Sequence, residues 1–336
     1  MGDYEICHFS IDTVAAYDDF INRYNAPQAK QRSDYDRIQW WIFNNPIGGY
    51  YACAYNNTEL CSTCYISGKY LRLGDRCILA YEIGDTWTLP HHRRKGLFSR
   101  LVKHCTELAI QAGADLVYGT PNSQSTPGYQ KLDYQLEWRK ESYFNLMPAP
   151  MNILLHRSKL LSSSIGDINH KNTVNMEELS LSQYIEKTLH LNRTNHCTKD
   201  YLHWRFGSSP IHYRFFSLKI LATTLFIAMR KSTLGSLWLL YVVEYFQVGE
   251  DKLTSKQFQC ALRKISNHHY RGHDGIYVLT HKSTSSSPVF AIAKRGFVNH
   301  RQLPICYMLN EKADQTIRNN ISSLFESFQL SDCDIG

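Results

Sequence analysis

The stretch from Tyr81 to Arg100 constrains the fold of this chain more than any other. Residues 82–89 are rich in aromatic and β-branched side chains and predict a strand, which Pro90 ends. Residues 91–96 form a short cationic turn, and from Leu97 onward apolar residues recur at helical spacing. A loop that opens a helix presents backbone N–H groups at the positive end of the helix dipole. The pattern therefore predicts a binding site for a phosphate or pyrophosphate.

Length and composition set the wider frame. The chain has 336 residues, of which 43% are hydrophobic and 20% charged, so it has a globular composition and room for two domains. Its net charge of +7 is spread along the chain, which favours small anionic ligands over nucleic acid. The irregularly spaced cysteines, the acidic start and the lack of a long apolar window predict free thiols, a cytoplasmic protein and no membrane span.

One cysteine pair has the spacing of half a zinc site. Cys61 and Cys64 stand as C-x-x-C, but the sequence offers no second pair and no H-x-x-x-H partner to complete it. Ordinary cysteines in a strand or hairpin explain the pair better. The sequence therefore predicts no metal.

Residues 1–150 predict a mixed sheet with helices on both faces. Apolar periodicity and turn signals give the element order β-α-α-β-β-β-α-β-α-β. The expected strands are 4–9, 50–55, 58–66, 75–79 leading into 82–89, 115–118, 134–138 and 142–146, and the expected helices are 11–24, 34–44, 97–112 and 125–131.

The second half of the chain echoes the first. Three segments recur in the same order, one of them without a gap, and such a repeat predicts two copies of one fold. We expect domains at 1–150 and 151–336, joined by a proline-rich linker at 147–151. The paired segments are 36–47 with 200–211, 115–118 with 274–277, and 129–134 with 292–297.

The two copies differ at the cationic turn. In the second copy, the equivalent strand at 236–247 continues into Val248-Gly249-Glu250-Asp251-Lys252. The two acids in that loop would repel a pyrophosphate. We therefore expect one anion site per chain, in the first copy, with the second copy shaping it.

The run Thr88-x-Pro90-x-x-Arg93-Arg94-Lys95-Gly96-Leu97-Phe98 resembles motif A of the GNAT superfamily, the coenzyme-A-dependent N-acyltransferases. That motif reads Arg/Gln-x-x-Gly-x-Gly/Ala. Arg93 and Gly96 match it, while Phe98 departs from its small sixth residue. Residues 129–134 resemble the family's Tyr-x-x-x-Gly-Phe, with Asp133 in place of the glycine.

This resemblance covers most of the first half, and the second half only as a degenerate copy. It implies an α/β fold of two tandem GNAT-like domains, each with a mixed, mostly antiparallel twisted sheet and helices on both faces. Residues 1–150 would bind acyl-CoA and carry out catalysis, and residues 151–336 would shape the acceptor cleft.

The resemblance also implies how the coenzyme is held. Backbone N–H groups at 94–99 would bind the pyrophosphate, the edge of the strand at 87–89 would pair with the pantetheine amides, and Phe98 would point its side chain into the core. No metal is implied. The expected coenzyme contacts are Trp87, Thr88, Leu89, Arg93, Arg94, Lys95, Gly96, Leu97, Phe98, Ser99 and Asn122.

Amide formation from a thioester needs a base for the amine and an acid for the departing thiolate. Glu82, placed like the family's glutamate base, is the first candidate for the base, and Asp85 is the second. The two face opposite sides of an ideal strand, so they share a cleft only if a bulge intervenes. Tyr129 matches the tyrosine that protonates the thiolate. His91 and His92 are expected to assist phosphate binding.

The chain further resembles two-domain GNAT proteins of bacterial surface-polysaccharide pathways, through residues 200–206, Pro210 and the segment 331–334. This likeness implies that the acceptor is the amine of a nucleotide-linked amino sugar, dTDP- or UDP-bound. Two alternatives stay open. One is acylation of a peptide, protein or antibiotic amine, and the other is a non-catalytic acyl-CoA sensor.

Overall fold

A computed structural model of the chain describes residues 4–9, 17, 35–73, 76–145, 174–191, 198–234, 237–250, 252–254, 257–258, 260–262, 264–265, 275–280, 298–326 and 328. Twelve of its strands form one continuous sheet. They are β1 Glu5–His8, β2 Gly49–Asn56, β3 Glu59–Leu73, β4 Arg76–Thr88, β5 Leu116–Gly119, β6 Gln135–Asn145, β7 Asn175–Leu179, β8 Tyr213–Ile220, β9 Thr223–Leu234, β10 Leu237–Val248, β11 Gly275–Thr280 and β12 Val298–Leu309. The α-helices are α1 Tyr35–Ile38, α2 Leu97–Gln111, α3 Thr126–Gln130, α4 Leu181–Thr188, α5 Lys199–Leu202 and α6 Gln315–Glu326.

Three strands and one helix differ most from their expected limits, and the first of them, β3, runs to Leu73 instead of ending at residue 66. The segments expected at 75–79 and 82–89 form the single strand β4, and those at 134–138 and 142–146 form β6. The helix expected at 34–44 is α1 followed by the π-helical turn Gln39–Phe43, and α5 continues in the same way into His203–Gly207. Except for Tyr17, the helix expected at 11–24 lies outside the described residues, as does the linker at 147–151.

The order of the strands has the same pattern from either edge. It runs β1-β2-β3-β4-β5-β12-β6-β11-β10-β9-β8-β7, and β4–β5 and β10–β11 are its parallel pairs. Each half lends one strand to the other, because β12 pairs with β5 while β6 pairs with β11. The two exchanged strands also pair with each other at the centre. The mixed, mostly antiparallel fold predicted from sequence is confirmed, and the boundary at residue 150 stays a prediction.

Side chains of β4 alternate between two apolar cores, one on each face of the sheet. Tyr81 and Ile83 pack in the core that contains α2, and Ile78 and Ala80 pack in the core that contains α6. This alternation follows from the period of two in a strand. The C-terminal strand β12 and helix α6 therefore complete the first half of the molecule.

Trp40 and Trp204 lie where the two halves meet. The indole N–H of each donates to the backbone oxygen of the other, at 2.9 and 3.0 Å, and the ring centroids are 5.5 Å apart. Both residues belong to the repeated segments and occupy matching π-helical turns. This reciprocal contact gives the repeat a local twofold relationship. None of the helices in the described part of the chain has the length and apolar run needed to cross a membrane.

Candidate active site

A cleft of about 540 Å³ opens where β4 parts from β5. The two strands pair from Ala80–Leu116 to Glu82–Tyr118, and the cleft lies beyond the last of these pairs. A strand that has left its neighbour can offer backbone hydrogen-bonding groups to a ligand. The predicted site residues that line the cleft are Glu82, Asp85, Trp87, Thr88, Arg93, Phe98, Asn122 and Tyr129.

β4 carries a β-bulge at Asp85. The pairing with β3 shifts within residues 84–87, where β4 has one residue more than its neighbour. Asp85 has a φ of +44°, which is unusual for a residue other than glycine. Because a bulge re-aims side chains, Glu82 and Asp85 both line the cleft despite their spacing. The bulge that the sequence left open is therefore present.

Glu82 forms a buried ion pair with Lys69 of β3. Lys69 Nζ lies 2.5 Å from Glu82 Oε2, and the two side chains are 0% and 2% exposed. The ammonium group also lies 4.8 Å from the ring centroid of Trp41 and 5.6 Å from that of Tyr118, in cation–π geometry. A proton taken up by Glu82 would remove the buried counter-charge of Lys69, which is costly. This pairing weakens the case for Glu82 as the proton acceptor.

Sequence reasoning missed Lys69 because β3 was expected to end at residue 66. The signal lay in the hairpin between β3 and β4. Its register pairs Ser67 with Glu82 and Lys69 with Ala80, so Lys69 and Glu82 are diagonal neighbours on one face. Extending β3 to the hairpin turn before β4 would have predicted that Lys69 lies next to Glu82.

Asp85 lies on the bulge itself. Its side chain is half-buried, and its Oδ1 accepts a hydrogen bond from Trp87 Nε1 at 3.3 Å. Its backbone oxygen accepts from the Thr63 hydroxyl at 3.0 Å, which fixes the bulge to β3. Asp85 thus presents a carboxylate to the cleft from a strained and anchored backbone position.

The cationic turn forms the N-terminus of α2. Arg94 and Gly96 have φ values of +61° and +79°, and this left-handed geometry curls the turn in front of the helix. The hydrogen bond from Arg100 N to Gly96 O, at 3.0 Å, is the first of the helical ladder. The N–H groups of 97–99 precede that bond and are therefore presented at the helix end. The local geometry is that of the predicted anion site.

The end of β4 connects the turn to the cleft. Arg93 lines the cleft, and its Nε donates to Thr88 O at 3.2 Å. Trp87 and Thr88 line the same wall. Leu89 is 1% exposed in the apolar core, and its N–H already donates to Cys61 O at 2.9 Å. In this structure, Leu89 is therefore engaged with β3, away from the position expected for pantetheine binding.

The two histidines of the turn contact a carboxylate. His91 Nε2 lies 3.2 Å from Glu59 Oε1, and His92 Nε2 lies 3.0 Å from Glu59 Oε2. Neither residue is among those that line the cleft. The hydrogen bond from His92 lowers the pKa of Glu59 below its usual value. In this structure both histidines therefore contact the start of β3, and their role in phosphate binding stays a prediction.

Tyr129 lies in the floor of the cleft and is 2% exposed. Burial raises the pKa of its phenol well above the usual value, and a hydrogen bond with the Thr86 side chain opposes that rise. The phenol therefore stays protonated across the physiological range. Phe98 meets Tyr129 edge-on at 5.2 Å and packs against the same core, as expected from sequence.

Asn122 and Asp133 shape the segment around α3. Asn122 lines the cleft, and its Oδ1 accepts from the backbone N–H groups of Gln124 and Ser125 at 2.9 and 3.0 Å. It therefore holds the turn before α3. Asp133 has a φ of +62°, which explains the glycine of the motif it replaces, because aspartate is one of the few residues that tolerate this conformation.

Comparison with known proteins agrees with this geometry. Residues 14–134 match the model of the acetyltransferase (GNAT) family. That range includes the bulge, the cationic turn and Tyr129. No curated protein sequence matches the chain.

Solved structures share the fold over nearly the whole chain. A probable N-acyltransferase from Enterococcus faecalis V583 has a TM-score of 0.59 at 12% identity, with 95% of this chain and 75% of that chain covered. A GCN5-related N-acetyltransferase from Anabaena variabilis has a TM-score of 0.57 at 12% identity, covering 91% and 73%. A putative acetyltransferase from Pyrococcus horikoshii has a TM-score of 0.54 at 12% identity, covering 94% and 92%. At such identities these structures show a common fold.

The family match and the cleft support each other, because the matched residues are the ones that build the bulge, the helix end and the buried tyrosine. Residues 14–134 therefore match the acetyltransferase (GNAT) family over the part of the chain that builds the cleft, and this match supports an acyl-transferring enzyme.

Proposed function

We propose that the chain transfers an acyl group from acyl-CoA to the amine of a nucleotide-linked amino sugar, dTDP- or UDP-bound, in the cytoplasm and for surface-polysaccharide biosynthesis. One observation carries the catalytic part of the proposal. A single cleft joins a helix N-terminus suited to a pyrophosphate with two carboxylates and a buried tyrosine.

The coenzyme is proposed to extend from the turn into the cleft. Its pyrophosphate accepts hydrogen bonds from backbone N–H groups at 94–99, and the Arg93 guanidinium adds a charge-assisted bond. Its pantetheine arm follows the wall formed by Trp87 and Thr88, in the gap that β5 leaves beside β4. The thioester then lies near the bulge, deep in the cleft.

Asp85 is the proposed proton acceptor. The amine nitrogen attacks the thioester carbonyl carbon, a C–N bond forms, and the nitrogen loses one proton to Asp85, directly or through a water molecule. Glu82 is less suited because protonating it would break the charge balance of its buried pair with Lys69. We therefore assign Glu82 the role of fixing the bulged strand beside the base.

Tyr129 is the proposed acid. As the C–S bond breaks, its phenol gives a proton to the departing thiolate of coenzyme A. Because burial keeps the pKa of this phenol well above its usual value, the proton is present at neutral and mildly alkaline pH. Deprotonation of Tyr129 should therefore cause no fall in rate on the alkaline side of a pH–rate profile.

The net charge of +7 supports an anionic acceptor. A nucleotide diphosphate sugar combines such charge with a base that can stack on aromatic rings. The sequence likeness to two-domain proteins of polysaccharide pathways is the second support for this acceptor class.

The test is an acylation assay. Acetyl-CoA and longer acyl-CoA are incubated with a panel of dTDP- and UDP-amino sugars, and products are identified by their mass increase. We expect the wild-type chain to form an acylated sugar nucleotide. Asp85→Asn and Tyr129→Phe should each lower kcat by at least about 100-fold. Asp133→Asn is the matched control, since Asp133 is exposed and lies outside the lining residues.

The outcomes separate the parts of the proposal. Product from a peptide or antibiotic amine, but from no sugar nucleotide, would overturn the acceptor class and leave the chemistry in place. Full turnover in Asp85→Asn together with a large loss in Glu82→Gln would transfer the base role to Glu82.

A further inference from the structure

A second group of chemically active side chains lies outside the cleft, between the start of β3 and the turn before α2. The ligand-type atoms of Glu59, Cys61 and His92 all lie within 4.8 Å of one another. His91 lies at the edge of this group and contacts Glu59 alone of the three, with its Nε2 3.2 Å from Glu59 Oε1. The proposed acyl transfer gives this group no task.

These side chains form a mixed donor set of one thiol, one carboxylate and two imidazoles. Nitrogen and sulfur donors combined with a carboxylate suit zinc better than magnesium or calcium, which prefer oxygen ligands. In a tetrahedral zinc site the ligand atoms are roughly 3.3 to 3.6 Å apart, given ordinary zinc–ligand bond lengths. The separation of 3.0 Å between His92 Nε2 and Glu59 Oε2 is close to that spacing, and the ligand atoms of Glu59, Cys61 and His92 all lie within 4.8 Å of one another, so a small contraction would bring them around one ion.

His92 also has a partner for its second ring nitrogen. Its Nδ1 lies 2.8 Å from the Tyr4 hydroxyl, and the side chain is 3% exposed. Without an ion, Nε2–H donates to Glu59; when an ion binds, the ring takes the tautomer in which Nδ1–H donates to Tyr4 and the lone pair of Nε2 binds the ion. Zinc-binding histidines have this arrangement, in which the outer nitrogen is hydrogen-bonded and fixes the ring.

The accessibility of the group suits a metal that enters from solvent. Glu59 is 30% exposed and the side chain of His91 is 58% exposed, whereas Cys61 and His92 are buried. Two fixed inner ligands and two outer ligands open to water leave a path for an ion. Cys64, the second residue of the C-x-x-C pair, is not part of the group and lies in the core beside Cys105.

We propose that Glu59, Cys61 and His92 form a zinc site, with the exposed His91 turning inward as the fourth ligand, and that this site fastens the start of β3 to the turn preceding α2. Binding exchanges the Cys61 thiol proton for the metal, and that proton passes to solvent. The sequence alone pointed away from metal, because its ligands come from two segments that only the fold brings together.

The test uses the full chain without a metal-binding tag. The protein is loaded with Zn²⁺, passed over a chelating resin and measured for zinc by mass spectrometry. Loading with Co²⁺ instead reports a thiolate ligand through its charge-transfer absorption. We expect about one zinc per chain, a cobalt–thiolate band, and a higher Tm with zinc because the ion binds the folded state.

Matched variants locate the site. Cys61→Ser should remove the cobalt–thiolate band, and His92→Gln should weaken zinc binding at least about tenfold. His91→Gln changes an exposed residue and gives a second variant in which folding is not at risk. Cys64→Ser is the control on the same strand and should retain zinc and the band.

Two results would overturn the zinc site. One is a wild-type chain that leaves the resin without zinc, and the other is a band that persists in Cys61→Ser or disappears equally in Cys64→Ser. Neither readout depends on acyl transfer, so the zinc site and the proposed function stand or fall separately.

Discussion

In the first half of the molecule β4 leads into the cationic turn, whereas in the second half β10 leads into Gly249 and Glu250. The first turn carries Arg93 and Arg94 in front of a long helix, and the second carries acids after a glycine with a φ of +138°. The strand order around both turns is equivalent. A short local segment therefore decides whether this scaffold attracts an anion.

The buried carboxylates of the two halves provide a second contrast. Glu82 of β4 pairs with the Lys69 ammonium, while Glu244 of β10, 3% exposed, accepts a hydrogen bond from the Tyr184 hydroxyl at 2.9 Å. Both strands therefore bury an acid, Glu82 beside an ammonium group and Glu244 beside a hydroxyl. The comparison teaches that the repeat preserved a buried acid on the equivalent strand, with Lys69 beside it in the first half and Tyr184 beside it in the second.

The largest expected effect tests this second contrast. Lys69→Met should lower the free energy of unfolding by about 3–5 kcal/mol, because it leaves the Glu82 charge buried without its counter-ion. Tyr184→Phe should cost only about 1–2 kcal/mol, the loss of one buried hydrogen bond. Urea denaturation followed by circular dichroism measures both. The double variant Lys69→Met/Glu82→Leu should recover most of the loss, and equal costs for the two single variants would break the contrast.

A smaller effect is expected for coenzyme A affinity, which compares the turn after β4 with the turn after β10. Arg93→Ala should weaken binding of coenzyme A by about 10- to 100-fold, the equivalent of a charge-assisted hydrogen bond of roughly 1.5–3 kcal/mol. Lys252→Ala, the matched change after the second turn, should leave the affinity unchanged. Isothermal titration calorimetry gives both values. A comparable loss in the second variant would show that both halves contribute to the coenzyme site.

The smallest expected effect tests the reciprocal contact between Trp40 and Trp204, the feature that the two halves share. Trp40→Phe and Trp204→Phe should each lower the free energy of unfolding by about 1 kcal/mol or slightly more, since each removes one N–H donor to the opposite backbone oxygen. Similar shifts in the urea midpoint would support the twofold relationship. A much larger cost for one tryptophan would show that the contact is not shared equally.

Much of the fold was accessible from sequence because it depends on neighbours along the chain. The strand, turn and helix around Gly96 follow from local periodicity and from the end signals at Pro90 and Gly113. The repeat was visible because residues 36–47 and 200–211 have matching side chains at matching positions. The exchange of β6 and β12 left no such signal, since the backbone groups of a strand can pair with either neighbour.

The site was predicted in part. The turn, Glu82, Asp85 and Tyr129 were identified from their positions relative to the motif, and the cleft includes the last three. The sequence could not show which carboxylate acts as the base, because that choice depends on the side chain that each carboxylate contacts. Lys69 became visible only through the strand register, and this partner shifts the proposed role towards Asp85.

By itself the sequence determined the element types and indicated the repeat and the cationic turn before α2, since local spacing and the chemistry of adjacent residues are sufficient for those features. Tertiary structure decided which strands were exchanged, where β4 bulges, and which groups meet Glu82 and Glu59. Those features depend on contacts between residues far apart in the chain, and the free energy of such contacts is set by the packing of the whole sheet.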